Sequence, residues 1–191
     1  MGDADSGLPE ALRGVLPLLC LEIRTLEKNI QQIERQLRAL SKQTPVIQHL
    51  LSIPGVGLIT ATALVAFVGD VWRFPTCRHF ASYLGLTPRE HSSGLIRRLG
   101  GISKRGDVYL RTLLIQGARS VLAAAERARK QSRQVDRLST WVLQIRKLRG
   151  HNRAVVALAN KMARVVWALW RRGTTFVAQC TEPLPEVCPQ S

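Results

Sequence analysis

The chain has 191 residues, 46% of them hydrophobic, enough for one ordinary domain with an appendage or for two small ones, and too apolar for a chain disordered throughout. Its 28 Lys and Arg against 13 Asp and Glu give a formal charge of +15, which points to an acidic polymer as partner. The apolar runs, Leu58 to Val68 and a later one from Ala154 broken by Asn160, Lys161 and Arg164, are too short to span a bilayer, and the polar, acidic start is no signal peptide.

The charge is unevenly spread. Residues 1–50 carry six basic and six acidic side chains, whereas the other 22 basic residues fall between Val71 and Arg172 against only Glu90, Asp107, Glu126 and Asp136. A neutral front joined to a cationic body implies a modular chain. Nucleic acid rather than membrane is the expected partner, because no basic amphipathic stretch with an aromatic apolar face stands out. Cys20, Cys77, Cys180 and Cys188 form no CxxC pair and read as reduced thiols of a cytoplasmic protein.

In chain order, Leu16, Leu19, Ile23, Leu26, Ile30, Ile33, Leu37 and Leu40 alternate at spacings of 3 and 4. That seam predicts a coiled-coil helix, paired in trans or in a hairpin, with packing on the body as the other reading. Gly14 and Pro17 put its start near Leu18, and Thr44-Pro45 ends it. Ile53-Pro54-Gly55-Val56-Gly57 then leads into the apolar Leu58–Val68 helix, the pattern of a helix-hairpin-helix. Gly55 and Gly57 would let backbone N–H groups approach a DNA phosphate; equally, the turn serves only to join two core helices.

Gly69-Asp70 closes that helix, and Phe74-Pro75-Thr76 leads into a short helix from His79 to Leu84 that ends at Gly85. Leu86 to Ser103, with Pro88, Gly94, Gly100 and Gly101, has no helical period and reads as a Gly-rich loop with room for a short hairpin. Helices are expected over Val108–Lys130, Leu138–Leu148 and Asn152–Arg171, followed by a frayed tail. The fold class is therefore all-α: an N-terminal coiled-coil helix (1–44), a compact helical domain (45–176) with a helix-hairpin-helix-like element and a Gly-rich loop, and a flexible tail (177–191).

The most suggestive chemistry lies in that loop, where His91-Ser92-Ser93-Gly94 is flanked by Arg89 and by Arg97-Arg98. A serine on a glycine-hinged loop has room to approach a phosphodiester, and flanking arginines can hold its non-bridging oxygens and the charge of the pentavalent transition state. A phosphoserine intermediate would conserve the phosphodiester's energy for strand exchange. A solvated turn explains the same residues, and His91 beside it is a base or a bystander. On the last helix Arg153, Asn160, Arg164 and Arg171 share a face, a phosphate-tracking stripe or a solvated surface, while Trp167 and Trp170 read as core or interface. No HExxH, Walker loop, zinc spacing or carboxylate cluster is present, so no metal ligands are expected on this chain.

Taken together, Leu51-Ser52-Ile53-Pro54-Gly55-Val56-Gly57, Phe74-Pro75, the series from Ala81 to Gly94, Gly101 to Asp107, Tyr109 to Leu114, Gly150-His151-Asn152 and Ala157 to Arg164 closely resemble one family. It is the C-terminal transposase domain of the bridge-RNA-guided insertion-sequence transposases, matched from about residue 45 to 176. The resemblance implies a DNA recombinase whose nucleophile maps to Ser93, with Ser92 as fallback, and whose basic positions facing DNA or RNA are Arg89, Lys104, Arg105 and Arg111. It implies DNA element ends and target as substrates, a structured guide RNA, a homo-oligomer joined through the coiled coil, and a bacterial cytoplasmic, nucleoid-associated setting. Members also carry an RuvC-like domain with a DEDD carboxylate set and Mg2+. That half has no counterpart here, so the chain looks like a truncated or split transposase that binds no cofactor itself and meets Mg2+ only with a DEDD partner. Where the family often shows Gly-Gly-Lys after the serine, this chain has Gly94-Leu95-Ile96. The rival readings are a non-catalytic, dimeric DNA- or RNA-binding fragment and an interaction module whose charge tracks RNA.

Overall fold

A computed structural model describes residues 9–93 and 98–177, with the side chains of Glu10 and Ala11 left aside. The described residues form seven α-helices, one 3-10 turn and one two-stranded hairpin, in agreement with the all-α expectation. Two units divide the chain, one ending at Leu40 and the other beginning at Ser41.

The first unit is most of α1 (Glu10–Gln43). The helix begins eight residues before the expected start and runs through Gly14 and Pro17. Pro17 removes one i→i−4 bond, but the side chains around it are all exposed, so water reaches the backbone that the missing donor leaves open. Along the heptad seam Leu16, Leu19, Ile23, Leu26, Ile30, Ile33 and Leu40 are exposed, at 38–56% of their surface, and Leu37 is half-buried. An uncovered seam of that length on a 34-residue helix exceeds what scattered surface leucines require.

The second unit opens with α2 (Pro45–Leu51), whose first residue is a proline where no donor is needed. The Ser52–Gly57 turn delivers the chain to α3 (Leu58–Val68), which buries Thr60, Ala61, Ala63, Leu64 and Val68. A 3-10 turn, Val71–Arg73, follows; Asp70 caps it by accepting from Trp72 N at 2.8 Å. Thr76 then caps α4 (Cys77–Tyr83), two residues earlier than the sequence suggested, accepting from His79 N. After the hairpin of β1 (Pro88–Glu90) and β2 (Leu99–Ile102), the helices α5 (Val108–Lys130), α6 (Arg137–Arg149) and α7 (His151–Arg172) complete the unit. Asp107 and Asp136 cap α5 and α6 through Leu110 N and Ser139 N.

α7 is the centre of the core, burying Ala154, Val155, Leu158, Ala159, Met162, Ala163, Val165 and Val166 against α5, α6 and α4. Trp167 and Trp170 pack against this core, and Trp167 Nε1 donates to Phe74 O at 3.0 Å. Cys20 and Cys77 are unbonded thiols. Among the described residues no helix is long and apolar enough to cross a membrane. Cys180, Cys188 and the tail from 178 onward lie outside the described residues.

Candidate nucleic-acid interface and serine hairpin

The loop between α4 and α5 is a β-hairpin rooted in the helical core. Gly85 turns at φ +68°, and Lys104, at φ +57°, returns the chain beside it, donating its N–H to Gly85 O at 3.1 Å. Ser103 N donates to Thr87 O, and the strands then pair antiparallel with Pro88 opposite Ile102 and Glu90 opposite Leu99. Ile102 packs on the core. Three further contacts fix the root. Asn160 on α7 donates to Leu86 O at 3.0 Å, and Arg111 on α5 donates to Leu84 O and Gly106 O, both at 3.3 Å. Gly106 lies so close to the Tyr83 carbonyl that no side chain fits there. The core thus holds the base of the hairpin, while His91, Ser92, Ser93 and Arg98 beyond the strands are exposed.

At that end His91 N donates to Arg98 O at 2.9 Å. Ser92 and Ser93 are both exposed but differ in their bonding. Ser92 Oγ donates to Glu90 Oε1 at 2.7 Å and accepts from Arg98 N at 3.3 Å, so its hydroxyl ties the two arms together. Among the described residues no hydrogen bond engages the Ser93 hydroxyl, and none joins the His91 ring to either serine. Gly94 and Arg97 lie outside the described residues.

The cations expected around the loop divide into two groups. Arg89, Arg98, Lys104 and Arg105 are exposed on or beside the hairpin, with Arg89 donating to Ser103 O at 3.4 Å. Arg111 is only 8% exposed, and its guanidinium is committed to backbone carbonyls. It therefore supports the hairpin root rather than presenting a charge to a ligand. The α7 stripe divides in the same way: Arg153 and Arg164 are exposed, Asn160 turns to Leu86, and Arg171 donates to Pro75 O between the rings of Trp72 and Trp167.

At the helix-hairpin-helix-like turn, Gly55 has φ +82° and faces α5, where a Cβ would fall 2.6 Å from Gly117 O. Helix packing accounts for that glycine. Gly57 caps α3 in open space, with φ −90°. A cavity of about 500 Å³ beside the turn is mainly apolar, and its one acid, Asp136, is used in capping α6.

Two features escaped the sequence reading. The Glu90–Ser92 bond joins residues only two apart, so the pair is a candidate from the letters alone. The contact of Lys161 Nζ over the Trp141 ring, at 4.3 Å from its centroid, has no such signal, because it joins two helices. Among the described residues no three His, Cys, Asp or Glu side chains gather to hold a metal ion.

Residues 47–133 match the Transposase IS116/IS110/IS902 family. Over 176 residues the chain is 44% identical to a probable family 20 transposase of Pseudomonas aeruginosa, covering 92% of this chain and 50% of that protein. It is 43% identical over 170 residues to the transposase for insertion sequence element IS1111A of Coxiella burnetii, covering 89% and 45%. A pilin gene-inverting protein of Moraxella bovis is 30% identical over 159 residues, covering 81% and 47%. The chain spans about half the length of these curated relatives.

Proposed function

We propose, from the premise that this chain carries a transposase domain of the IS116/IS110/IS902 family, that it binds DNA through the serine hairpin and supplies the nucleophile for strand exchange in transposition. The observation that carries this reading is the placement of Ser93, exposed at the far end of a hairpin whose root is clamped to the core by Arg111 and Asn160 and whose flanks present Arg89, Arg98, Lys104 and Arg105. Ser93 Oγ attacks phosphorus, and the new O–P bond forms as the P–O bond to the deoxyribose breaks. The serine proton is lost to solvent and the departing oxygen takes one up. Arg98, the described cation opposite the serines, offsets the charge that collects on the phosphoryl oxygens, and Arg89, Lys104 and Arg105, nearer the root, hold flanking backbone phosphates. Ser92, tied to Glu90 and Arg98, holds the loop's shape and does not react.

The same reading assigns the rest of the machinery to partners. Mg2+ would be held by the carboxylates of a DEDD domain acting in trans, not by this chain, and would supply charge stabilisation at the scissile phosphate. The exposed seam of α1 pairs with α1 of a second copy as a coiled coil, and a structured guide RNA selects the sites in a bacterial nucleoid. A second reading, nucleic-acid binding without cleavage, draws on the Glu90 carboxylate, which places a negative charge beside the serines on a surface meant for phosphate.

Incubation with insertion-element end DNA, Mg2+ and a DEDD-containing partner separates the two. Transposition chemistry yields a covalent protein–DNA adduct that is lost in Ser93→Ala. Tight binding with no adduct in any combination supports the binding fragment.

A further inference from the structure

We propose that the exposed face of Trp72 is a stacking platform for an unpaired base of a DNA strand engaged at the hairpin. The inference rests on the nucleic-acid reading above and adds a contact for single-stranded DNA that the hairpin does not supply.

The platform is built from the 3-10 turn and the end of α7. Trp72 is 63% exposed, whereas tryptophan is on average a well-covered residue. Val71 and Phe74 supply the buried side chains of this segment, so core packing does not account for the indole beside them. The ring is nonetheless held. Asp70 Oδ1 accepts from Trp72 N at 2.8 Å and fixes the turn. The Arg171 guanidinium lies 4.3 Å from the Trp72 ring centroid and 4.9 Å from that of Trp167. Arg171 Nη1 donates to Pro75 O at 3.3 Å and Trp167 Nε1 to Phe74 O, so both groups behind Trp72 are tied to the segment that carries it. With one face against a guanidinium, an exposure this high leaves the other face open.

The surroundings indicate what that face takes. Arg73 and Arg172, the chain neighbours of the two stacked residues, are both exposed. A bare aromatic face beside exposed cations suits a nucleotide, whose base stacks on the ring while its phosphate meets a charge. Stacking needs an unpaired base, because a base inside a duplex already has both faces covered.

α7 also places the platform in line with the hairpin. Asn160, Arg164, Trp167 and Arg171 recur at spacings of 4, 3 and 4 and so share one face of the helix. At one end of this row Asn160 donates to Leu86 O at the hairpin root, and at the other Arg171 backs Trp72. The two ends are about 16 Å apart along the axis at 1.5 Å per residue, the length of about five nucleotides of stacked strand. Arg164, exposed between them, carries positive charge along that path. The strand is assigned as DNA because cleavage at the hairpin serine releases a DNA end whose first bases can leave the duplex.

The test uses the full chain with a labelled single DNA strand of about a dozen nucleotides, the matching blunt duplex and an RNA strand of the same sequence, each titrated with salt. W72A and W72F are compared with the unaltered chain; circular dichroism checks helix content and sedimentation checks oligomeric state. W72A is expected to bind the single DNA strand about tenfold more weakly, as loss of one stacked base requires. The slope of log K against log salt is expected to stay the same, since a base contact releases no counterion. W72F keeps a ring and is expected to recover most of the loss, while the blunt duplex binds all three proteins alike. Unchanged single-strand affinity in W72A, while R89Q/K104Q weakens duplex binding, overturns the platform and leaves the hairpin reading intact. An equal loss on the duplex, or a defect confined to self-association, overturns it too. A larger loss on RNA than on DNA overturns the assignment to DNA. If the unaltered chain binds none of the probes in a salt-dependent way, the platform and the hairpin reading fall together.

Discussion

Gly55 and Gly117 meet backbone to backbone where the turn between α2 and α3 crosses α5. A Cβ on Gly55 would lie 2.6 Å from Gly117 O and 2.7 Å from Val121 Cγ2, and one on Gly117 would collide with Gly55 O. Gly55 and Gly117 thus set how closely the turn before α3 approaches α5, the helix that carries Arg111 to the hairpin root.

Replacing either glycine by alanine is therefore expected to destabilise the chain. Gly55→Ala adds a left-handed backbone penalty to the collision, for a total of about 2–4 kcal/mol. Gly57→Ala, with open space and φ −90°, is expected to cost about 0.5 kcal/mol, the difference between glycine and alanine at a helix cap. Urea unfolding of the three proteins decides it; equal losses at Gly55 and Gly57 would remove the packing explanation.

Arg111 is expected to act on stability and not on charge recognition. Arg111→Met strands the Leu84 and Gly106 carbonyls in a buried setting, which costs about 2–3 kcal/mol. Once the variant is folded, its salt slope for DNA binding should match that of the unaltered chain. A slope reduced by a full unit would return Arg111 to the DNA-contacting set.

Glu90 is the acid closest to the serines on a surface read as phosphate-binding. Glu90→Gln keeps an acceptor for Ser92 and removes the negative charge, so duplex affinity is expected to rise a few-fold, by about 0.5–1 kcal/mol, with the hairpin intact. Fluorescence anisotropy at two salt concentrations is the check. Weaker binding would mean that Glu90 holds a basic side chain in place for the ligand.

Burial, and after it the charges of Arg164 and Arg137, holds the Lys161 ammonium below the usual lysine range, which has a signed consequence. Its folded pKa lies below 10.5, so the unfolded chain binds more protons in the interval between the two. Stability should accordingly rise with pH across that interval, and the penalty is fully present below it. Lys161→Met, which keeps the contact with Trp141, is expected to be more stable than the unaltered chain at neutral pH, with the difference shrinking as pH climbs toward 10.5. Thermal melts of both proteins between pH 7 and about pH 10.5, near the ordinary lysine value, report it; a constant difference would mean that the charge is not penalised in the fold.

The seam on α1 is expected to drive self-association. Ile23→Lys with Ile30→Lys puts two charges into exposed positions of that seam, and sedimentation equilibrium should show a dimer converted to monomer. A monomer in both cases would remove the coiled coil.

Much of the fold was legible because local chemistry and tertiary structure agree. α5 has the expected bounds, Val108–Lys130, since Asp107 is a good cap and no Pro or Gly-Pro break intervenes. α6 and α7 each begin and end within one residue of expectation, with Gly150 and Gly173 as punctuation. Pro17 misled because a proline penalty is weighed against everything around it, and an exposed helix pays little of the cost of a missing donor. At the site, sequence located the serines and the flanking cations but could not tell an outward arginine from an inward one. Arg89 and Arg111 look alike as letters, and only packing turns the second toward Leu84 and Gly106.

The claim that Ser93 reaches a phosphodiester is tested most directly by trapping the reaction on a nicked element-end duplex with the DEDD partner present and mapping the modified peptide by tandem mass spectrometry. The account predicts a nucleotide linked to Ser93 Oγ, with Ser92 unmodified. A nucleotide on Ser92 or another side chain, or strand transfer with no protein-linked nucleotide at any time point, would contradict it.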